Sequence, residues 1–322
     1  MPLLSATKKL SPADLVDVGF YDAEVILDKT SLSKLPEGKQ TSEEGLTAPT
    51  EEFGADECSV GLTRAILVAQ IQELMVGKSG AKQATVQYLS ELLNHQITPR
   101  LPLSNALGHL THYFNTPEGL TCTYEGKIQP FGEVIAAKNI TIPHLPAGER
   151  KGFSNLKPQA VLLALSTHAS SLLMDAVDVT AALSCEAMKL SVVTFGSSYH
   201  DTSRPHRFQV HVAKTLLSLL DGSDQIEFKK FKPAQIDAFK HLPEFHGPLR
   251  ETLASTVKTV KIELNSVAPS VRDPFHVQPL LNSAVAIVEC LLIIASGSLQ
   301  RAQAVAASVE GIYTHIYTLS ST

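Results

Sequence analysis

The residues able to do chemistry in this chain are histidines set among apolar or small side chains. His109 and His112 stand three apart in a Pro-flanked segment that begins Pro102-Leu103-Ser104-Asn105-Ala106-Leu107-Gly108. His168 follows Ser166 and Thr167 within a long, mostly apolar stretch. An imidazole titrates near neutrality and serves as base, acid or hydrogen-bond donor. Two roles stay open for each: a catalytic group, or a surface (His109, His112) or core (His168) histidine with no chemistry. Other chemistries have poorer spacing. His109-x-x-His112 lacks a glutamate partner and no H-E-x-x-H occurs, so a metal site is not expected. Ser198, His200 and Asp201 are too close in sequence to fold onto one another as a triad, and no G-x-S-x-G elbow exists. Gly77-Lys78-Ser79 lacks the upstream glycine of a phosphate loop. Cys58, Cys122, Cys185 and Cys290 are scattered, which fits neither zinc nor a disulfide framework and suggests a reducing compartment.

The elements that must position these residues read as mostly α. Apolar residues recur at helical spacing from Val60 to Gly77, from Ala84 to Asn94, from Phe208 to Leu220, from Leu249 to Val267 and from Leu280 to about Val309. Gln159 to Leu190 is apolar or small on nearly every side, as a buried helix is. Ser11-Pro12 opens a helical turn, and Ala23 to Leu27 reads as a short strand. Residues 117 to 158 are punctuated by Pro and Gly, with a β-like piece at Leu120–Tyr124 and a turn around Gly126 and Gly132. Pro36 to Cys58 is acidic and aperiodic, a linker by composition. The expected division is therefore an N-terminal segment with a flexible acidic linker, 1–59, and a helical domain, 60–322.

Composition narrows the function classes. The 322 residues are 44% hydrophobic and 18% charged, which excludes a disordered chain. Twenty-seven basic against 32 acidic residues, a net charge of -5, leave no footprint for nucleic acid or anionic membrane. The apolar run Leu280–Gly297 carries Asn282, Ser283 and Glu289, so a bundle core is expected rather than a membrane span. No signal pattern precedes Ala6, and a cytoplasmic location is expected.

Several stretches, in order, resemble the phenylalanine/histidine ammonia-lyase family, which uses a methylidene-imidazolone (MIO) electrophile made from its own backbone. Arg64 to Gly80 (RAILVAQIQELMVGKSG) resembles the family's helix ending in "kGhSg". Leu92 to Pro99 followed by Leu101-Pro102-Leu103 is similar to the phenylalanine branch's "LN..ITP.lPL". Arg204-Pro205-His206 through Leu219-Leu220-Asp221-Gly222-Ser223 resembles "RPHp.Q.evA..l..LL.GS". Ile262 to Ser266 resembles "iE.nS", and Phe275-His276-Val277-Gln278-Pro279 resembles "nFhgqP". The resemblance implies a bundle of long, near-parallel helices assembled as a homo-oligomer, a dimer or tetramer.

The departures carry the functional expectation. Aligning Ala106 and Gly108 with the family's Ala-Ser-Gly tripeptide puts Leu107 at the serine. The serine hydroxyl is what leaves to create the methylidene, and leucine has nothing to eliminate. A register on Ser104 lacks the following glycine. The "NGT" asparagine falls at Leu165, no Tyr or Arg lies in residues 225–244 where "QD.YS.R" belongs, the N-terminal "YGvNTGFG" loop finds no counterpart in residues 36–60, and a late-helix glutamate falls at Ala295. The C-terminal shielding region is also expected to be missing after Thr322. Ser to Leu, Asn to Leu and Glu to Ala turn a polar cavity apolar. The implied function is a cofactor-free cyclase or pericyclase that folds an apolar intermediate, with no nucleic acid, membrane or metal involved. The alternatives are a catalytically dead scaffold and residual MIO-free lyase or addition chemistry. By carry-over, His168, His276 and His109 are the catalytic candidates, and Leu107, Leu165, Thr167, Gln278 and His112 line the substrate. His200, Asp201, Arg204 and His206 match what the resemblance implies is a structural turn and subunit contact.

Overall fold

The computed structural model describes residues 1–37, 54–76, 80–114, 118–150, 152–153, 156–196, 198–226, 228, 237–267 and 277–320. The linker expected at 36–58 and the turn at 77–79 lie largely or wholly outside these residues. The principal helices are α1 (Pro12–Phe20), α2 (Val60–Met75), α3 (Gln83–Asn94), α4 (Ala106–Leu110), α5 (Phe131–Ala137), α6 (Leu156–Ala187), α7 (Arg207–Leu220), α8 (Leu242–Asn265) and α9 (Gln278–Ser320). The strands are β1 (Leu3–Leu4), β2 (Ile26–Leu27), β3 (Thr98–Pro99), β4 (Thr121–Tyr124) and β5 (Lys127–Pro130). The mostly α expectation holds, with a small β-containing insertion where it was placed.

Local chemistry explains the boundaries. Ser11 accepts from the Asp14 backbone N–H (3.3 Å) while Asp14 accepts from that of Ser11 (2.8 Å), a reciprocal cap that starts α1 with Pro12 in its first turn. Helix α3 ends at Asn94, and two residues on, Gln96, with a φ of 56°, turns the chain before Pro99. The β4–β5 hairpin turns on Glu125 and Gly126, with φ of 49° and 72°, the handedness a tight two-residue turn requires. Two features differ from the periodicity reading. Gly132 sits in the first turn of α5, not in a loop. Helix α8 starts at Leu242 and carries Pro248 inside it. The proline removes one backbone donor and normally marks a boundary, which is why the pattern reads as starting only at Leu249.

The chain divides into two compact units. Unit 1 is Met1–Ser166 with Lys258–Ser283, and unit 2 is Thr167–Val257 with Ala284–Thr322. Residues on both sides of position 59 belong to unit 1, so the composition change there is not a break in packing. Helix α2 is the axis of unit 1, with every residue from Gly61 to Met75 buried. Gly19 and Gly61 let α1 and α2 touch: a Cβ on Gly19 would come within 2.7 Å of the Gly61 carbonyl oxygen. Arg64, 2% exposed, donates to the carbonyls of Val18 (2.9 Å) and Leu93 (3.3 Å), tying α1 and the end of α3 to α2. Lys157 is likewise buried against Glu73 (3.4 Å) and donates to the carbonyls of Leu264 and Ser266.

In unit 2 one core cluster joins Ala181, Cys185, Phe195, Val212, Leu216 and Leu242. A second joins Met174 and Val177 of α6 with Leu249 and Leu253 of α8 and Cys290 and Ile294 of α9. Gly247 marks the α7–α8 approach, since a Cβ there would lie 2.7 Å from the backbone of Gln209.

Candidate functional site

The altered segment is built as successive short helical turns in unit 1. A 3-10 turn at Leu103–Asn105 leads into α4, and a second at Thr111–Phe114 follows it. The Ser104 hydroxyl donates to Asp56, so this serine is anchored to the preceding turn. Leu107 is fully buried and His109 is 5% exposed. The His109 ring lies 5.6 Å from that of His112 and 6.0 Å from that of Tyr113, centroid to centroid. Tyr113 anchors the far end of the segment: its hydroxyl donates to the Thr121 carbonyl (2.7 Å), and its own carbonyl accepts from Tyr88 (2.7 Å). Arg100 grips Glu57 through two bonds of 2.6 and 2.7 Å, fixing the entry to the segment. The structure thus places Leu107 and His109 on α4 and His112 on the 3-10 turn that follows it.

The remaining sequence candidates are distributed elsewhere. Leu165 is half-buried on the unit 1 portion of α6. Thr167 is fully buried and His168 half-buried, both on the unit 2 portion. Gln278 is exposed and donates to Asn282 one turn on (2.8 Å), a helix-surface pair. His276 lies outside the described residues. His200 is buried and held on both ring nitrogens, by Gln209 (2.9 Å) and the Thr194 carbonyl (2.9 Å). That arrangement agrees with the structural-turn reading of its segment.

One constellation escaped the sequence reading. In unit 2, His246 Nδ1–H donates to Asp178 Oδ1 at 2.6 Å, with the two residues 0% and 1% exposed. Arg250, one turn along α8 from His246, donates to Asp178 Oδ2 (2.6 Å), Asp175 Oδ1 (2.9 Å) and the Met174 carbonyl (3.1 Å). Burial alone raises the Asp178 carboxyl, but the His246 hydrogen bond and the Arg250 charge outweigh it and hold it below its ordinary value. The carboxylate holds Nδ1 and so fixes the orientation of the ring, turning Nε2 away from Asp178. Nε2 is buried with no hydrogen-bond partner among the described residues. An oriented imidazole backed by a carboxylate is the general-base half of a catalytic triad. The signal was present in the sequence as an i, i+3 acid pair, Asp175 and Asp178, and an i, i+4 pair, His246 and Arg250.

Nucleophilic sulfur is not available at the described sites. All four cysteines are buried, and burial pushes the Cys58 thiol up to about 11 and the Cys185 thiol up to about 12. No group of three His, Cys, Asp or Glu able to hold a metal occurs among the described residues.

Comparison with known proteins identifies relatives of the chain and of its fold. The histidine ammonia-lyase of Streptococcus sanguinis (strain SK36) is 28% identical over 260 residues, which cover 77% of this chain and 50% of that protein. The histidine ammonia-lyase of Clostridium tetani (strain Massachusetts / E88) is 28% identical over 220 residues, 65% of this chain and 42% of that protein. The chain spans about half the length of the curated relatives it matches. Among solved structures, the phenylalanine aminomutase of Pantoea agglomerans superposes with a TM-score of 0.76 at 16% identity, over 94% of this chain and 72% of that one. The phenylalanine ammonia-lyase of Rhodosporidium toruloides gives 0.74 at 20% identity, over 93% of this chain and 53% of that one. These two likenesses establish the fold. A family profile described as aromatic amino acid lyase matches residues 12–310, and the chain belongs to that family.

Proposed function

We propose that this chain is an MIO-independent, cofactor-free member of its family that acts as a cyclase or pericyclase on an apolar small molecule. The observation that carries this reading is Leu107. In the register that aligns Ala106 and Gly108 with the electrophile tripeptide it takes the serine's place, and it is fully buried within α4. The residues do not fit the electrophile: leucine offers no hydroxyl to lose. Ser104 offers one, but it is bonded to Asp56 and followed by Asn105 rather than glycine. Without that group the fold can still accelerate a reaction by holding a flexible substrate near its reactive geometry, which removes the entropic part of the barrier. A few donors then polarise one end of it. His109, His168 and His276 are the proposed donors, with Leu107, Leu165, Thr167, Gln278 and His112 lining the substrate. The Asp178–His246 pair supports an enzymatic reading, because an oriented base with an unpartnered Nε2 is a device with catalytic precedent. The test is incubation of candidate polyenes with and without protein, followed by rate and stereochemistry. A faster, stereoselective conversion supports the proposal; an unchanged rate and product mixture, or ammonia release from an aromatic amino acid, contradicts it.

A second reading, a catalytically dead lyase kept as scaffold or partner subunit, has its own supporting observation. Leu107 and His109 are enclosed in the packing of unit 1. That reading expects no turnover in either assay.

Both readings include a homo-oligomer. Two helices, 157–187 and 278–309, are long and apolar enough to cross a membrane, yet only 39% and 33% of their most apolar windows are buried. Their exposed residues keep a heptad spacing. On α9, Val285, Val288, Leu292, Ala295, Leu299 and Ala302 alternate three and four apart, all exposed. On α6, Ala169, Leu172, Ala176, Val179 and Leu183 do the same. Such a seam fits another helix. Exposed Glu289, Gln300 and Asp175 on the same helices favour protein or water over lipid as the neighbour, in keeping with a cytoplasmic location.

A further inference from the structure

We propose that the exposed seam of α9 is covered by the same helix of a second copy of this chain, running antiparallel, with Leu292 of each copy seated against Ala295 of the other. This rests on the homo-oligomer reading above and adds to it which helix meets which, in what direction and in what register.

The seam consists of Val285, Val288, Leu292, Ala295, Leu299 and Ala302, all exposed and all within unit 2. Alternating steps of three and four keep them on one stripe of the helix, about 26 Å long at 1.5 Å per residue. Two identical chains close a pair about a two-fold axis, and such an axis crossing a helix sets it against its own copy in reverse. Reversal about the middle of the seam matches Val285 with Ala302, Val288 with Leu299 and Leu292 with Ala295, and each match occurs twice. It is the antiparallel register that uses all six positions. Both alanines then face a larger side chain, so every layer holds at least one Leu or Val opposite a residue it can fit. Parallel pairing in register sets Leu292 against Leu292 and Ala295 against Ala295, alternating crowded layers with voids. Voids forfeit packing contacts and crowded layers force strain.

Charge points the same way. From 285 to 302 the one exposed charged side chain is Glu289, since Arg301 is buried and donates to Ser298 (3.0 Å). Antiparallel pairing separates the two Glu289 residues by about 13 Å along the axis, beyond the screening length of roughly 8 Å at physiological salt. Parallel pairing sets them level with each other.

Engineered cysteines read the direction. Val285→Cys and Ala302→Cys together in one chain are expected to give a disulfide-linked dimer on a non-reducing gel after mild oxidation. Either single variant is expected to stay unlinked, because its new cysteine lies about 26 Å along the axis from its own copy. Wild type, whose four cysteines are buried, is the unlinked control. Circular dichroism and light scattering of the reduced variants check that fold and assembly match those of wild type. With the assembly intact, a single variant that links to itself, or a double variant that does not link, would overturn the antiparallel pairing and leave the homo-oligomer reading standing. A wild-type chain that stays monomeric by light scattering would overturn both.

Discussion

Helices α2 and α9 are both rich in apolar residues, and the protein treats them in opposite ways. Along α2, unit 1 covers every side chain from Gly61 to Met75. On α9, Leu292 is 65% exposed and Leu299 is 60% exposed, and their neighbours along the heptad seam are exposed as well. Apolarity by itself therefore does not report burial within one chain. Unit 1 itself covers α2, whereas the apolar seam of α9 is left exposed by its own chain, the face proposed above to meet another helix.

Substitutions break or sharpen that comparison, and the largest effect is expected where polar groups interrupt the apolar interior of unit 2. Asp178→Asn leaves His246 and Arg250 without their shared carboxylate and is expected to cost about 3–5 kcal/mol in urea unfolding. The same residue gives a pH signature. Its folded-state pKa is held below the ordinary carboxylate value of 3.8, so its stabilisation is fully present above that value. It is lost as the pH falls through the lower folded value. Wild type is expected to lose stability in that acid window, and Asp178→Asn to lose less, when unfolding is followed across a pH series.

The next effect sets one helix directly against the other. Ile66→Ala removes a fully buried side chain from α2 and is expected to cost roughly 2–5 kcal/mol. Leu292→Ala deletes a similar volume from an exposed place and is expected to change dilute-monomer stability by no more than about 0.5 kcal/mol. Equal costs would erase the distinction. Leu292→Glu sharpens it further: light scattering after size exclusion is expected to show the assembly shifting to a smaller species with unchanged helicity. An unchanged mass would remove α9 from the interface. The smallest effect is at a helix end, where Ser11→Ala is expected to cost about 1 kcal/mol through loss of the α1 cap.

Much of this was readable in the sequence, for physical reasons that also explain what was not. The cap at Ser11, the turn at Gly126 and the long helices follow from local rules about donors, positive φ and apolar spacing. The family resemblance lay in ordered motifs, and the family match over residues 12–310 agrees with it. Pro248 misled the reading because a proline within a helix looks like a boundary until tertiary packing holds both sides of it. Asp178 and His246 are 68 residues apart, and only the folded unit places them at 2.6 Å. Periodicity also could not separate α2 from α9, since it identifies an apolar face and not what covers it.

The proposed function requires that Ala106-Leu107-Gly108 stay an ordinary peptide segment. Mass spectrometry of the tryptic peptide spanning Leu101 to Lys127 tests it most directly. The unmodified mass calculated from the sequence is expected. A mass lowered by backbone cyclisation and dehydration within that peptide would contradict it.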